Sequence, residues 1–220
     1  MQPAITCNLS GCGCAENPFI WVSEKLGCLY YEIPKNASSS IKEILNRKEF
    51  AFYQVDAPPG EVRSRYGDFY AFAVLREPLE RFLSNYRMFC LSRLDFRHRQ
   101  IEALFNRKHE EISLHDFVEM SEIWRNHHWE LMVKYLPMDP ANKLGVRLEK
   151  IALLETLDVD WDEIRRNLDI DVCLPRINRT TAVGKRKILA DEDEAILMRR
   201  YADDINFFGH VKRQRESYLT

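Results

Sequence analysis

The chain has 220 residues, of which 45% are hydrophobic, and this is enough to fill the core of one α/β domain. Its 32 lysines and arginines against 34 aspartates and glutamates leave a formal charge of −2, which argues against a general nucleic-acid binder and confines anion binding to local clusters. The sequence contains neither an apolar run of about 18 residues nor a basic start followed by an apolar core, so we expect no membrane span, no secretory signal and a cytoplasmic location.

Three of the six cysteines crowd the N-terminus, at Cys7, Cys12 and Cys14. A metal clip would need a fourth ligand at paired spacing, and none follows, so we expect no metal site but a reduced, flexible arm over residues 1–24. Cys28 and Cys90 are expected as small core residues. We place one domain over residues 25–210 and a C-terminal tail over residues 211–220, in which the basic segment 212–215 is expected to be disordered.

A predicted strand leads directly into a cationic loop. Residues 26–33 are mostly apolar and β-prone, and Pro34 cannot donate to a strand ladder, so the strand ends there. Lys35 and Asn36 begin the loop, and three serines follow at residues 38–40.

A helix is predicted to begin among these serines. Apolar residues recur at helical spacing through residues 41–45, and Ser40 with Glu43 fits a capping box. The unpaired N–H groups at a helix start attract phosphate or sulfate, here with help from hydroxyls and one ammonium group. This is not a Walker A loop, which carries glycines and ends in its lysine. A simple helix cap is the alternative interpretation.

The second informative stretch is an apolar strand over residues 69–75, expected in a parallel sheet that helices cover on both faces. Arg76 follows the strand, and Pro78 suits the first turn of the next helix. Ser84 lies about two turns into that helix, on the side opposite its apolar stripe. Because ligands bind at the carboxyl edge of such sheets, Arg76 is a candidate anion contact, with a surface charge as the alternative.

Several later elements are predicted from spacing. Residues 123–136 form a predicted helix with His128 on its inward stripe, and residues 144–148 and 151–154 are candidate strands. Further predictions are a helix over residues 160–168, a basic loop over 174–187, and a helix over 191–208 that Gly209 ends.

Taken together, two segments resemble the cofactor-binding signatures of sulfotransferases that use 3′-phosphoadenosine 5′-phosphosulfate. They are I-P-K-N-A-S-S-S-I at residues 33–41 and V-L-R-E-P-L-E-R-F-L-S-N-Y at residues 74–86. The resemblance is strongest with the carbohydrate branch, sulfotransferase family 2, and runs from Leu29 to Phe208. Shorter matches are N-H-H-W at residues 126–129, L-E-T-L at 154–157, and Y-A-D-D with Phe208.

This resemblance implies a fold and a cofactor site. The fold would be a three-layer α/β/α domain with a central parallel sheet, similar to P-loop nucleotide-binding proteins, and we expect about four or five strands. Arg76 and Ser84 would hold the 3′-phosphate, and Arg179 and Lys185 of the basic loop would close over the cofactor, although a solvated charge run is the alternative for that loop. The 5′-phosphosulfate would be held by Lys35, Asn36, Ala37, Ser38, Ser39 and Ser40.

The predicted function is sulfonate transfer to an acceptor hydroxyl on a carbohydrate or another small molecule. Lys35 and His128 are the predicted catalytic residues, because Lys35 would neutralise the departing phosphate and His128 matches the histidine of the family. Glu43 is the weaker candidate base, and a satisfied core histidine is the alternative for His128. The competing functions are a P-loop-like kinase, which would need a Walker lysine and a magnesium-binding acid, and a non-catalytic nucleotide-binding module.

Overall fold

The computed structural model describes residues 5–6, 19–91, 95–175, 177 and 189–217. The strands are β1 (Ile5–Thr6), β2 (Phe19–Ser23), β3 (Cys28–Glu32), β4 (Tyr53–Val55), β5 (Tyr70–Leu75), β6 (Trp124–Arg125), β7 (Met138–Asp139), β8 (Asn142–Val146) and β9 (Lys150–Leu153). The α-helices are α1 (Ser38–Leu45), α2 (Pro59–Arg65), α3 (Pro78–Tyr86), α4 (Asp95–Phe105), α5 (Leu114–Ile123), α6 (Leu157–Asn167), α7 (Asp191–Arg200) and α8 (Ala202–Ser217). None of the helices in these ranges is long and apolar enough to cross a membrane.

The chain folds into two compact units. The sheet unit comprises residues 15–76, 131–181 and 203–220, and the helical unit comprises residues 1–14, 77–130 and 182–202. The predicted flexible arm over residues 1–24 is wrong at its end, because Phe19–Ser23 form β2 of the main sheet. Cys7, Cys12 and Cys14 lie outside the described residues. Cys28 and Cys90 are buried, which confirms that they are core residues.

The sheet unit is built on a five-stranded sheet in the order β4-β2-β3-β5-β9. β3, β5 and β9 pair in parallel, whereas β2 runs antiparallel to both of its neighbours. Four of the five strands therefore point the same way. The predicted α/β fold is confirmed, with a central sheet that is mostly rather than wholly parallel, and the one reversed strand is a detail that the sequence did not reveal.

Alternate residues of the central strands fill two separate cores, one on each face of the sheet. One core contains Leu29 and Tyr31 of β3, covered by Val62 of α2 and by Phe207 and Val211 of α8. The opposite core contains Cys28, Tyr30, Phe72 and Val74, covered by residues of α1 and α6. Because β3 and β5 are buried on both faces, they read as continuous apolar runs in the sequence. This arrangement confirms the three-layer architecture.

In the helical unit, aromatic rings form the core. The ring of Phe117 on α5 lies 5.4 Å from those of Phe82 and Trp129, and 5.6 Å from that of Tyr86, between ring centroids. Pro78 occupies the first turn of α3, as predicted, and the Glu77 side chain caps that helix by accepting the Glu80 N–H.

The predicted helix over residues 123–136 is wrong. α5 ends at Ile123, a short strand follows, and residues 132–135 form only a 3₁₀ turn. The Asn126 side chain accepts a hydrogen bond from the His128 N–H at 2.9 Å. The Asp204 carboxylate accepts hydrogen bonds from the N–H groups of Met132 and Val133. These side-chain acceptors replace the carbonyls that a helix would offer, and apolar spacing alone could not reveal them.

The predicted helix over residues 191–208 is two helices, because the chain breaks at Tyr201 between α7 and α8. Gly209 does not end the second helix, which continues to Ser217, so the prediction of a disordered segment at residues 212–215 is wrong. Arg215 forms a bidentate ion pair with the buried carboxylate of Asp160 on α6, and both N–O distances are 2.8 Å. This pair fixes the last turns of α8.

We expect Arg215→Ala to lower the free energy of unfolding by about 2 kcal/mol, because the buried Asp160 carboxylate loses its charged hydrogen bonds from Arg215 but keeps its ion pair with Lys150. Burial raises the pKa of Asp160, but hydrogen bonds, led by those of Arg215, outweigh this effect and hold the pKa below its usual value. The stabilisation is therefore complete above the unfolded carboxyl pKa of about 3.9 and is lost as the pH falls through the lower folded value. Urea unfolding at several pH values measures both effects.

The matched control is Lys212→Ala, which removes an exposed cation from the same helix. Its unfolding free energy should stay within about 0.5 kcal/mol of the wild type. Equal unfolding curves for the two variants at neutral pH would contradict the proposed contribution of Arg215.

Candidate functional site

The loop between β3 and α1 has an unusual backbone. Lys35 has a φ of 72° and Ala37 a φ of 60°, so two residues with side chains adopt the left-handed region. Such residues cost about 1 to 2 kcal/mol each. Successive residues of alternating hand turn their N–H groups toward one side, which makes a concave surface that suits anions. A loop of this shape can hold an anion, and the anion cradle stays a prediction.

The start of α1 adds further donors to this loop. The helix begins at Ser38, its first turn carries no acidic residue, and Ala37 at the N-cap position offers no side-chain acceptor. The predicted capping box of Ser40 and Glu43 is wrong, because Ser40 already lies within the helix. No carboxylate in the first turn therefore opposes the positive end of the helix dipole. This end of α1 can stabilise a bound anion.

Asn36 lies between the two left-handed residues and is fully buried. Its Nδ2 donates to the Val74 carbonyl at 2.8 Å and lies 3.3 Å from the sulfur of Met132. The sequence predicted Asn36 as a cofactor contact, but this donor is used within the protein, to tie the loop to the end of β5. An isolated amide has no periodic signal, so this contact could not be found from the sequence.

Arg76, which follows β5, reaches the same loop. Its Nη1 lies 3.4 Å from the Lys35 carbonyl oxygen, and both side chains are half-buried. β3 and β5 are adjacent parallel strands, so the residues that follow them emerge at the same edge of the sheet. The structure therefore brings together the two cationic elements that the sequence placed 41 positions apart.

A buried carboxylate lies just before this loop, at Glu32, the last residue of β3. Its oxygens accept hydrogen bonds from the Trp21 Nε1 at 2.8 Å and from the Lys42 Nζ, also at 2.8 Å. These partners neutralise the carboxylate, which weakens its repulsion of an anion at the loop.

The predicted basic loop begins beside α1. The Ile177 N–H donates to the Ser40 hydroxyl at 3.3 Å, and Leu174 packs against the core under α1. Arg179 and Lys185 lie outside the described residues, so their cofactor contacts stay predictions.

Two other predicted site residues belong to the helical unit. On α3, Ser84 is only 6% exposed and Arg81 is 1% exposed. The side of α3 opposite its apolar stripe is therefore buried as well. His128 is half-buried, with its ring edge-on to that of Phe89 at 5.6 Å between centroids. Their roles in a site stay predictions.

A comparison with protein families gives one result that covers most of the chain. A model described as the sulfotransferase family matches residues 18–210. No curated protein and no solved structure matches the chain.

We expect Asn36→Ala to lower the unfolding free energy by about 2 kcal/mol, because the buried Val74 carbonyl loses its donor. Amide hydrogen exchange in residues 35–40 should become faster, because the Asn36 side chain no longer ties the backbone between Lys35 and Ala37 to β5. Urea unfolding and exchange measured by mass spectrometry test these two effects.

Asn46→Ala is the control, because it removes the same amide from an exposed position after α1. If Asn36→Ala behaves like this control in both measurements, the amide does not hold the loop.

Proposed function

Since this chain belongs to the sulfotransferase family, we propose that it transfers the sulfonate group of 3′-phosphoadenosine 5′-phosphosulfate to an acceptor hydroxyl, on a carbohydrate. The observation that carries the proposal is the approach of the Arg76 guanidinium to the Lys35 carbonyl, at 3.4 Å. By resemblance to the family, Lys35 and Arg76 would bind opposite ends of one doubly phosphorylated adenosine. Two residues that share one ligand in this way must lie close together.

The groups at the loop suit the chemistry of the donor. When bound, the activated nucleotide supplies a sulfonate and a phosphate leaving group on which negative charge develops. Lys35 would neutralise that charge, while the N–H groups and hydroxyls of Ser38, Ser39 and Ser40 would hold the phosphosulfate oxygens. The Asn36 hydrogen bond to the Val74 carbonyl supports a loop conformation that is set before the donor binds.

Arg76 would bind the 3′-phosphate, far from the reacting sulfur. A guanidinium group offers two parallel donors to a phosphate, and this remote binding energy positions the reacting group. By resemblance we also propose Ser84, Arg179 and Lys185 as cofactor contacts.

His128 is the proposed general base that removes the proton from the acceptor hydroxyl. The proposal rests on its match to the N-x-H-W segment of the family. The weaker candidate, Glu43, lies on the exposed side of α1.

We expect Lys35→Ala and Arg76→Ala to fail in different ways. Lys35→Ala should lower kcat by about 100-fold or more, because it loses charge stabilisation in the transition state, with little change in affinity for adenosine 3′,5′-bisphosphate. Arg76→Ala should weaken binding of the bisphosphate by about 10-fold to 100-fold, as expected for a lost charge-assisted hydrogen bond. Transfer of labelled sulfate to acceptors chosen in a screen measures kcat, and calorimetry measures affinity.

Lys48→Ala, which removes an exposed lysine just after α1, is the control and should match the wild type in both assays. Turnover of Lys35→Ala equal to that of the wild type would refute its role. Titration with ATP tests the kinase alternative, because ATP binding tighter than bisphosphate binding would favour phosphoryl transfer over sulfonate transfer.

We expect His128→Ala to lower kcat by about 100-fold and to remove the rise of activity with pH that a histidine base produces as its imidazole loses a proton. The adjacent His127, whose ring lies 4.1 Å away between centroids, gives the matched control His127→Ala. Full turnover of His128→Ala across the pH range would show that His128 is not the general base.

A further inference from the structure

The stretch that carries His128 is held by an unusual set of contacts within the helical unit. Three consecutive carbonyls each accept a hydrogen bond from a buried side chain. The Asn85 Nδ2 donates to the His128 carbonyl, the Tyr201 hydroxyl to that of Trp129, and the Arg81 Nη1 to that of Glu130, each at 2.7 Å. We call Arg81, Asn85 and Tyr201 the carbonyl clamp.

All three clamp residues are at most 1% exposed, so these hydrogen bonds form away from water. Arg81 and Asn85 are four positions apart on α3 and therefore project from the same side of that helix. Tyr201 lies where α7 ends. Residues 126–130 are not helical, so the carbonyls of residues 128–130 do not have the backbone donors that a helix would supply four residues later. The clamp supplies those donors from two separate elements.

The N–H side of the same stretch is fixed as well. The Asn126 Oδ1 accepts the His128 N–H at 2.9 Å, and the Trp129 Nε1 donates to the Trp124 carbonyl, also at 2.9 Å. Both backbone groups of His128 are therefore bound by buried asparagine side chains, Asn126 on one side and Asn85 on the other. A backbone held on both sides limits the positions that its imidazole ring can adopt.

A second contact uses the residue three positions after Tyr201. In the sheet unit, the fully buried carboxylate of Asp204 accepts the N–H groups of Met132 and Val133, at 2.8 and 3.0 Å. The Y-x-x-D pattern at residues 201–204 thus binds the backbone shortly after His128 in two places. This gives a physical reason for the N-x-H-W and Y-x-x-D patterns to occur in one chain.

We propose that Tyr201 and Asn85 are positioning residues for His128, and that the carbonyl clamp sets the place of its imidazole ring. The proposal rests on the function proposed above, in which His128 is the base. Misplacing a reacting group by about 1 Å costs about 100-fold in rate, and the loss of one clamp contact should allow a smaller shift. Neither residue needs to contact the substrate for this effect.

The chain offers a matched pair of tyrosines for the test. Tyr201→Phe removes a hydroxyl from the Trp129 carbonyl, and Tyr86→Phe removes one from the Ile112 carbonyl at 3.1 Å, in the same unit. Both variants should lose about 3 °C in Tm. Only Tyr201→Phe should lower kcat, by about 10-fold with an almost unchanged KM, because only its contact positions the base.

The deciding measurement is independent of activity. Nuclear magnetic resonance of ¹³C-labelled histidine rings, with His128 assigned from the His128→Ala spectrum, reports the surroundings of the ring in the full chain. The His128 ring signals should shift or broaden in Tyr201→Phe and in Asn85→Ala, and should remain in place in Tyr86→Phe. Circular dichroism verifies that each variant is folded.

The outcomes separate the two proposals. His128 ring signals that stay unchanged in both Tyr201→Phe and Asn85→Ala would overturn the clamp, whatever happens to activity. A displaced ring in those variants, together with a fully active His128→Ala, would keep the clamp and remove His128 from the proposed chemistry. A displaced ring with a lowered kcat supports both.

Discussion

The parallel pairing of β3 with β5 is the constraint on which the candidate site depends. The two strands are neighbours in the sheet, with Tyr31 opposite Ala73, so the segments that follow them emerge side by side. One is the loop with Lys35 and the other begins with Arg76. Both strands are buried on both faces, and a shift by one residue would move every side chain into the opposite core. The hydrophobic pattern therefore also fixes the spacing of the two cationic elements.

The shape of the loop follows from the two cores that it connects. Ile33 belongs to the core on one face of the sheet and Ile41 to the core on the other, so the chain must cross the sheet edge between them. Two left-handed residues cost about 1 to 2 kcal/mol each, whereas one buried amide hydrogen bond returns only about 1 kcal/mol. Burial of each isoleucine contributes about 2 kcal/mol. The burial of Ile33 and Ile41 therefore offsets the cost of the two left-handed residues, and the Asn36 hydrogen bond selects the conformation of the loop.

The stretch after α5 illustrates the opposite solution, in which side chains rather than a regular ladder satisfy the backbone. Asn85, Tyr201 and Asn126 supply partners that a helix would have supplied to itself. Each of these polar groups is buried, where an unmet hydrogen bond costs about 1 to 3 kcal/mol. Such a segment has one well-defined conformation, which would suit the proposed role of His128 as the general base.

The sequence by itself determined the strand before Pro34, the apolar strand before Arg76, the helix after Pro78 and the α/β class, because apolar periodicity and proline chemistry are local signals. It also determined the family, through motifs that are contiguous in the chain. Only the tertiary structure decided that residues 123–136 do not form a helix, that the last helix continues to Ser217, and that Asn36 binds the Val74 carbonyl. These outcomes depend on hydrogen bonds between residues far apart in the chain, and no local pattern encodes such partners.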